Sequence, residues 1–291
     1  MNASGESPTP SSTASNAGLR ARQRVGKYRI VRRLASGPYA NVYEALDTIE
    51  GIYVALKIPH ATLVTPMMLE DFRAEVRISA RLNHPNILRI KNADFIQERF
   101  VIAYPLGLES LAERMQRRMA VSRAYRYTEQ ILEALAHAHD ERVIHCDIKP
   151  ENLILFPDDR ICLTDFGISR VALRTLSASG SGTVGYVAPE QAHGQPRFES
   201  DVFSTAVVLY QMLARQRPSW PFRWPLPGAA RLRSSAPQAY IRFLRRGLEV
   251  DHRRRYHDGR QMLLAFQRLL PDIERYLKRR RRSRNGTGGR R

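Results

Sequence analysis

The sequence predicts an α+β chain in which a small antiparallel β-sheet lobe carrying one helix is followed by a larger, mainly α-helical lobe. Three observations lead there. Short β-type runs fill the region from Tyr28 to Ala103 with one helical interruption, helical spacing takes over after Leu108, and Val202 to Leu213 is apolar nearly all round. Alternating or β-branched runs of four to eight residues read as strands, apolar residues at i, i+3 and i+4 as helix, and a helix without a polar face as buried. Two unlike lobes in series imply a cleft between them, a common position for a ligand site.

Residues 1–24 are rich in Ser, Thr, Ala, Pro and Gly without periodicity and are expected to be disordered. The sheet lobe spans 25–104, with strands at Tyr28–Arg32, Val42–Leu46, Tyr53–Ile58, Leu88–Ala93 and Phe100–Ala103. Its helix runs from about Met67 to Leu82 and turns Phe72, Val76 and Ser79 to one side. The helical lobe spans 105–277. Ala124, Tyr127, Ile131 and Leu135 recur at helical spacing, and the apolar run Leu153–Phe156 precedes a short strand at Ile161–Leu163. Val202–Leu213 is the buried helix, and Met262, Leu263, Phe266, Leu270, Ile273 and Leu277 mark one amphipathic final helix. Residues 278–291 read as a basic disordered tail.

Hydrophobic residues make up 43% of the 291, enough for a sizeable core. No stretch approaches the roughly 20 apolar residues of a membrane helix, and the first residues lack the apolar run of a secretion signal. A soluble cytoplasmic protein is the expectation, and two cysteines, Cys146 and Cys162, fit a reducing compartment better than a disulfide framework. The net charge is +19, of which the stretch from Lys278 contributes eight basic residues and no acidic one. That tail offers a surface for an acidic partner or nucleic acid, the plain alternative being a solvated tail. Tyr276 is its one nearby aromatic residue, so stacking on bases has no support.

The chemistry-bearing residues come in a fixed order. Val54-Ala55-Leu56-Lys57 ends a strand with a lysine. His145-Cys146-Asp147-Ile148-Lys149-Pro150-Glu151-Asn152 places a carboxylate, an ammonium and an amide within six residues of one loop. Asp165-Phe166-Gly167 follows, then Gly182-Thr183 through Ala188-Pro189-Glu190, then Asp201-Val202-Phe203-Ser204. Metal ligands, cations for phosphates and an acceptor for a hydroxyl proton are what phosphoryl transfer requires. His137, His139, His145 and Cys146 do not have the spacing of a four-ligand metal site. Trp220 and Trp224 sit in a Pro/aromatic loop that reads as packing between helices.

Taken together these motifs resemble the protein kinase signature set, from about Val25 to Leu277. The resemblance implies a bilobal kinase fold, ATP and Mg²⁺ as cofactors, and transfer of the γ-phosphoryl to serine or threonine hydroxyls of protein substrates. It implies Asp147 as the catalytic base and Lys149 as its neighbour on the γ-phosphate. It gives Asn152 and Asp165 as metal ligands, and Lys57 as the contact to the α- and β-phosphates, paired with Glu75 (Glu70 being the weaker alternative). It puts Val42, Ala55 and Ile154 around the adenine, with a hinge near Ala103 to Gly107 and either Ala103 or Tyr104 as gatekeeper. Thr183 and Glu190 belong to the activation segment; Asp201 braces the catalytic loop, and Arg255 pairs with Glu190. Lys149 and Thr183 favour serine/threonine over tyrosine, and Gln191 after Ala-Pro-Glu gives a bacterial flavour.

Two departures stand out. The glycine-rich loop reads Ala35-Ser36-Gly37-Pro38-Tyr39-Ala40, keeping one glycine, Gly37, and gaining a proline that fixes φ near −65°. A stiffer loop and weaker nucleotide binding are expected. The arginine that precedes the catalytic aspartate in the family is Cys146, so phosphorylation at Thr175, Ser177, Ser179 or Ser181 is expected to be dispensable, although Arg170 and Arg174 offer a substitute contact. Both departures favour an inactive scaffold of the same fold; the intact Lys57, Glu75, Asp147, Lys149, Asn152 and Asp165 oppose it. A small-molecule phosphotransferase of related fold shares the aspartates but generally lacks the Thr183–Glu190 type of segment.

Overall fold

A computed structural model of the chain describes residues 18–61, 65–166 and 185–286. Six antiparallel strands form the first sheet in the order β1-β2-β3-β4-β6-β5. They are β1 (Arg24–Val25), β2 (Tyr28–Ser36), β3 (Ala40–Asp47), β4 (Ile52–Pro59), β5 (Asn92–Ile96) and β6 (Arg99–Pro105). The period of two sets which residues share a face. Tyr43, Leu56 and Ala103 are cross-strand partners on one face, in a core with Val25, Tyr28, Ile30 and Val54. Val42, Lys57 and Ile102 are partners on the other, as are Glu44, Ala55 and Tyr104. Helix α1 (Pro66–Arg81) starts where sequence chemistry favours it: Thr65 caps the Met68 amide at 3.2 Å, and Pro66 occupies the first turn.

The second lobe is helical around a deep core. Helix α2 (Leu111–Gln116) opens with a reciprocal box in which Ser110 and Glu113 satisfy each other's backbone amides. Helix α3 (Val121–Asp140) is followed by the strands β8 (Leu153–Phe156) and β9 (Arg160–Leu163), which form a small sheet with β7 (Glu109–Ser110). After α4 (Pro189–Ala192), helix α5 (Phe198–Ala214) runs through the core with nearly all-round burial, as the apolar run Val202–Leu213 predicts. Helices α6 (Ala229–Arg233), α7 (Gln238–Gly247), α8 (Gly259–Gln267) and α9 (Leu270–Gly286) complete the lobe. Trp224 packs on Tyr210 and Trp220 on Phe222, edge to face, so the Pro/aromatic loop does lie against the helices, though Trp220 stays exposed. No helix among the described residues is long and apolar enough to cross a membrane.

Four boundaries differ from the sequence reading. Strand β5 lies at 92–96, beyond the expected 88–93, because Leu88 leaves the first sheet to bond its amide to the Leu163 carbonyl at 2.8 Å. The single final helix is two: the chain turns at Arg268 and Leu269, where Pro271 cannot donate to a continuing helix but suits the first turn of a new one. The stretch expected to be a disordered tail from 278 is helical to 286, held where Tyr276 donates to the Ser234 carbonyl at 2.6 Å and Arg280 donates to the same oxygen. At the other end, order begins before residue 25: the Leu19 amide bonds the Tyr43 hydroxyl at 3.0 Å.

Candidate active site

The lysine of β4 is the centre of the first half of the site. Lys57 Nζ lies 2.8 and 2.9 Å from the two oxygens of Glu75 on α1 and 2.9 Å from Asp165 Oδ1. Glu75, not Glu70, is therefore the helix partner; Glu70 pairs with Arg73 at the surface. Burial pushes the Lys57 ammonium down, but the Asp165 and Glu75 carboxylates outweigh it and hold the group charged well above its ordinary range. For Asp165, burial likewise pushes upward and the Lys57 charge wins, keeping the carboxyl ionised. Lys57 also stands over the Phe72 ring, 5.7 Å from its centroid.

The sheet register decides between Ala103 and Tyr104. Ala103 opposes Leu56 and belongs to the outer core, whereas Tyr104 opposes Ala55 and enters the cleft, where its hydroxyl donates to Glu75 Oε1 at 2.8 Å. Ala55 and Ile154 are half-buried and pack against the same cluster as Tyr104, and half-buried Val42 is the cross-strand partner of Lys57 on that face. Gly107 in the hinge is required by close approach: a Cβ there would come within 2.2 Å of Ile154 Cγ2. The turn between β2 and β3 is braced from β4. Asn41 Nδ2 donates to His60 Nδ1 at 3.4 Å, so the His60 Nε2–H donates to the Gly37 carbonyl at 2.8 Å, while the His60 amide bonds the Tyr39 carbonyl at 3.0 Å. Sequence reasoning did not single out His60; its place at the end of the Lys57 strand was the available signal.

The second half of the site is the loop after α3. Lys149 Nζ lies 2.8 Å from Asp147 Oδ2, and Asn152 Nδ2 donates to that oxygen at 2.9 Å and to the Asp147 carbonyl at 2.8 Å. No donor to Asn152 Oδ1 lies among the described residues, and the Thr164 amide bonds the Asn152 carbonyl at 3.0 Å, which brings Asp165 beside it. Behind this loop Asp201 accepts from the amides of His145 at 2.6 Å and Cys146 at 2.8 Å. His139 contacts Asp201 at 3.0 Å through Nε2; because the Gly259 amide donates to its Nδ1 at 2.9 Å, the proton is on Nε2. The same logic gives His145 an Nε2–H donating to the Thr164 carbonyl at 2.8 Å. Its ring meets Phe166 edge-on at 4.7 Å.

Cys146 and Asp165 have φ of 63° and 66°, in the left-handed region that non-glycine residues seldom occupy. The peptides of Cys146 are clamped on both sides, its amide by Asp201 and its carbonyl by Gln191 Nε2 at 2.5 Å. Over-determination of this kind is how strained backbone persists at functional sites. Arg255 is fully buried and spends all five N–H groups. Two go to Glu190 at 2.7 and 3.0 Å and three to the carbonyls of Glu199, Val250 and Glu249. Gly167, Thr175, Ser177, Ser179, Ser181 and Thr183 lie outside the described residues, as do Arg170 and Arg174.

A sheet lobe followed by a helical lobe, with Lys57 of the first bonded to Asp165 beside the second cluster, has the architecture of a protein kinase domain. The protein kinase domain model matches residues 28–256, and the chain belongs to that family. Among curated relatives, the probable serine/threonine-protein kinase pknA2 of Bifidobacterium longum is 34% identical over 207 residues, covering 66% of this chain and 27% of that protein. The serine/threonine-protein kinase PknA of Mycobacterium tuberculosis is 34% identical over 206 residues, covering 66% of this chain and 48% of that protein. The chain thus spans half or less of the length of these relatives. The solved PknI kinase domain of M. tuberculosis shares the fold, with a TM-score of 0.65 at 24% identity, over 87% of this chain and 99% of that one. The chain is thus a protein kinase domain, similar in sequence to bacterial serine/threonine kinases.

Proposed function

We propose that this chain transfers the γ-phosphoryl of ATP to serine and threonine hydroxyls of proteins, its own included. The observation that carries the reading is the pair of polar clusters joined by the Thr164–Asn152 backbone bond: Lys57 with Glu75 and Asp165, and Asp147 with Lys149 and Asn152, every side-chain contact at 2.8 to 2.9 Å. Lys57 would hold the α- and β-phosphates while Glu75 fixes its direction. Asp147 would orient the acceptor hydroxyl and take its proton, and Lys149 would steady the transferred group. Val42, Ala55 and Ile154 would enclose the adenine beneath the Gly37 turn, with affinity lowered by the stiff, glycine-poor loop.

The oxygens left unspent fit a hard divalent cation. Among the described residues nothing donates to Asn152 Oδ1, and Asp165 engages Lys57 through Oδ1. One amide oxygen and one carboxylate are the donor set of a Mg²⁺ that arrives with phosphates, not of a resident metal cage. When bound, Mg²⁺ would neutralise charge developing on the phosphate oxygens. Lys149, two residues past Asp147, supports Ser/Thr specificity. A cytoplasmic setting, where ATP is supplied and the two buried thiols stay free, belongs to the same proposal. So does an acidic protein or nucleic-acid partner for the basic end of α9, which salt-dependent binding would test.

The deciding experiment supplies Mg·ATP labelled on the γ-phosphate, with a generic protein acceptor. Label appears on serine or threonine with the native chain and drops by about 10²- to 10⁴-fold in Asp147→Asn. Bound nucleotide without transfer in either protein would point to an inactive scaffold; transfer to a small alcohol in the absence of protein would point to a metabolite kinase.

A further inference from the structure

We propose that the Tyr104 hydroxyl is a positioning group that locks Glu75, and through it helix α1, in the place that aligns Lys57; this rests on the kinase reading above. Glu75 is buried and receives three donor contacts, two from Lys57 and one from Tyr104. All three ammonium hydrogens of Lys57 are spent on Glu75 and Asp165. A lysine that turns toward a phosphate must release part of that set, and the phenol is the donor that stays on Glu75 Oε1 when it does. Buried acceptors left without a donor are costly, so the remaining bond biases α1 toward its present place.

Helix α1 needs such a bias. Of its sixteen residues only Phe72, Glu75 and Ser79 are buried, so the one buried charge on the helix is the one Tyr104 holds. The phenol is itself well fixed. Its ring packs in the cluster with Phe72, Phe100 and Phe156, which joins the sheet, α1 and the β8–β9 hairpin. The hydroxyl keeps its proton, since burial and the nearby Glu75 and Asp165 charges push its ionisation far up.

Tyr104→Phe removes one oxygen and keeps the ring. We expect kcat to fall about tenfold with the Kd of a non-hydrolysable Mg·ATP analogue changed by less than about threefold, and no further loss when the change is added to Glu75→Ala. A second readout needs no turnover. Spin labels at Arg77→Cys on α1 and Arg242→Cys on α7, both exposed positions, report the helix position by pulsed electron resonance. The native background gives one narrow distance; Tyr104→Phe broadens it toward the Glu75→Ala distribution. Unchanged kcat, or lost kcat with the narrow distance retained, overturns the proposal. If the native chain transfers no phosphate the kinase reading falls, and the label distances alone decide whether the tether exists.

Discussion

Helices α1 and α5 are nearly the same length and are held in opposite ways. Fourteen of the seventeen residues of α5 are buried, ten of them in the apolar core. Helix α1 buries three of sixteen and depends on the ion pair and hydrogen bond at Glu75. Apolar burial is non-directional and large in sum, at about 25 cal/mol per Å², so α5 is a scaffold. A buried polar contact is directional and contributes a modest net amount while its loss is expensive, so α1 is placed with precision but little depth. The loop carrying Asp147 sits on the scaffold side through Asp201 of α5; Lys57 is aligned from the adjustable side.

Substitutions can break or sharpen that contrast. The largest effect is expected on the scaffold: Glu190→Ala leaves the Arg255 guanidinium buried and unpaired, and urea unfolding would show a loss of about 3–5 kcal/mol. Leu209→Ala at the centre of α5 costs about 2–5 kcal/mol in the same assay, with turnover per folded molecule preserved. Glu75→Ala reverses the pattern: phosphoryl transfer falls about 100-fold while the urea midpoint moves far less than for Leu209→Ala. Val76→Ala on α1 costs about 1 kcal/mol, because its side chain is only half-buried. If Val76→Ala proved as costly as Leu209→Ala, the contrast between the helices would be wrong.

The smallest effect is in acid. Burial pushes the Glu190 carboxyl up, but Arg255 and Ser200 outweigh it and hold its native value below the ordinary 4.5. A depressed native value means that the unfolded chain takes up protons first as pH falls. The contribution is complete above about pH 4.5 and is lost as pH drops through the native value. Urea midpoints between pH 6 and 3 should therefore fall less steeply for Glu190→Gln than for the native chain.

Much of the site was legible because its residues are fixed by spacing. Asp147, Lys149 and Asn152 lie on one loop, and the resemblance put Glu75 ahead of Glu70 as the partner of Lys57. Tyr104 was not separable from Ala103, since a strand's alternation gives two faces without saying which is the cleft; the register opposite Ala55 supplies that. The His60 brace and the His139 contact to Asp201 join residues 23 and 62 apart, and no local pattern encodes such distances. The 88–93 run looked like a strand because Leu88 and Ile90 are apolar, yet they are apolar for packing at the lobe junction. The turn before α9 was readable from Pro271, but six well-spaced apolar residues masked it.

The contact between α3 and α8 bears on how far the folding unit extends. The family match closes at 256, but Gly259 presses so tightly on α3 that a Cβ would meet the Ala136 nitrogen at 2.7 Å. Its amide caps the His139–Asp201 chain, and Met262 and Phe266 have no solvent exposure. A fragment trimmed at the family boundary would uncover one flank of α3 and take away the donor that sets the His139 tautomer. Such a piece would be expected to aggregate on expression or to be clipped readily by protease. The smallest autonomous piece of this molecule thus reaches at least to Gln267, and domain exchange with relatives would have to carry α8 along.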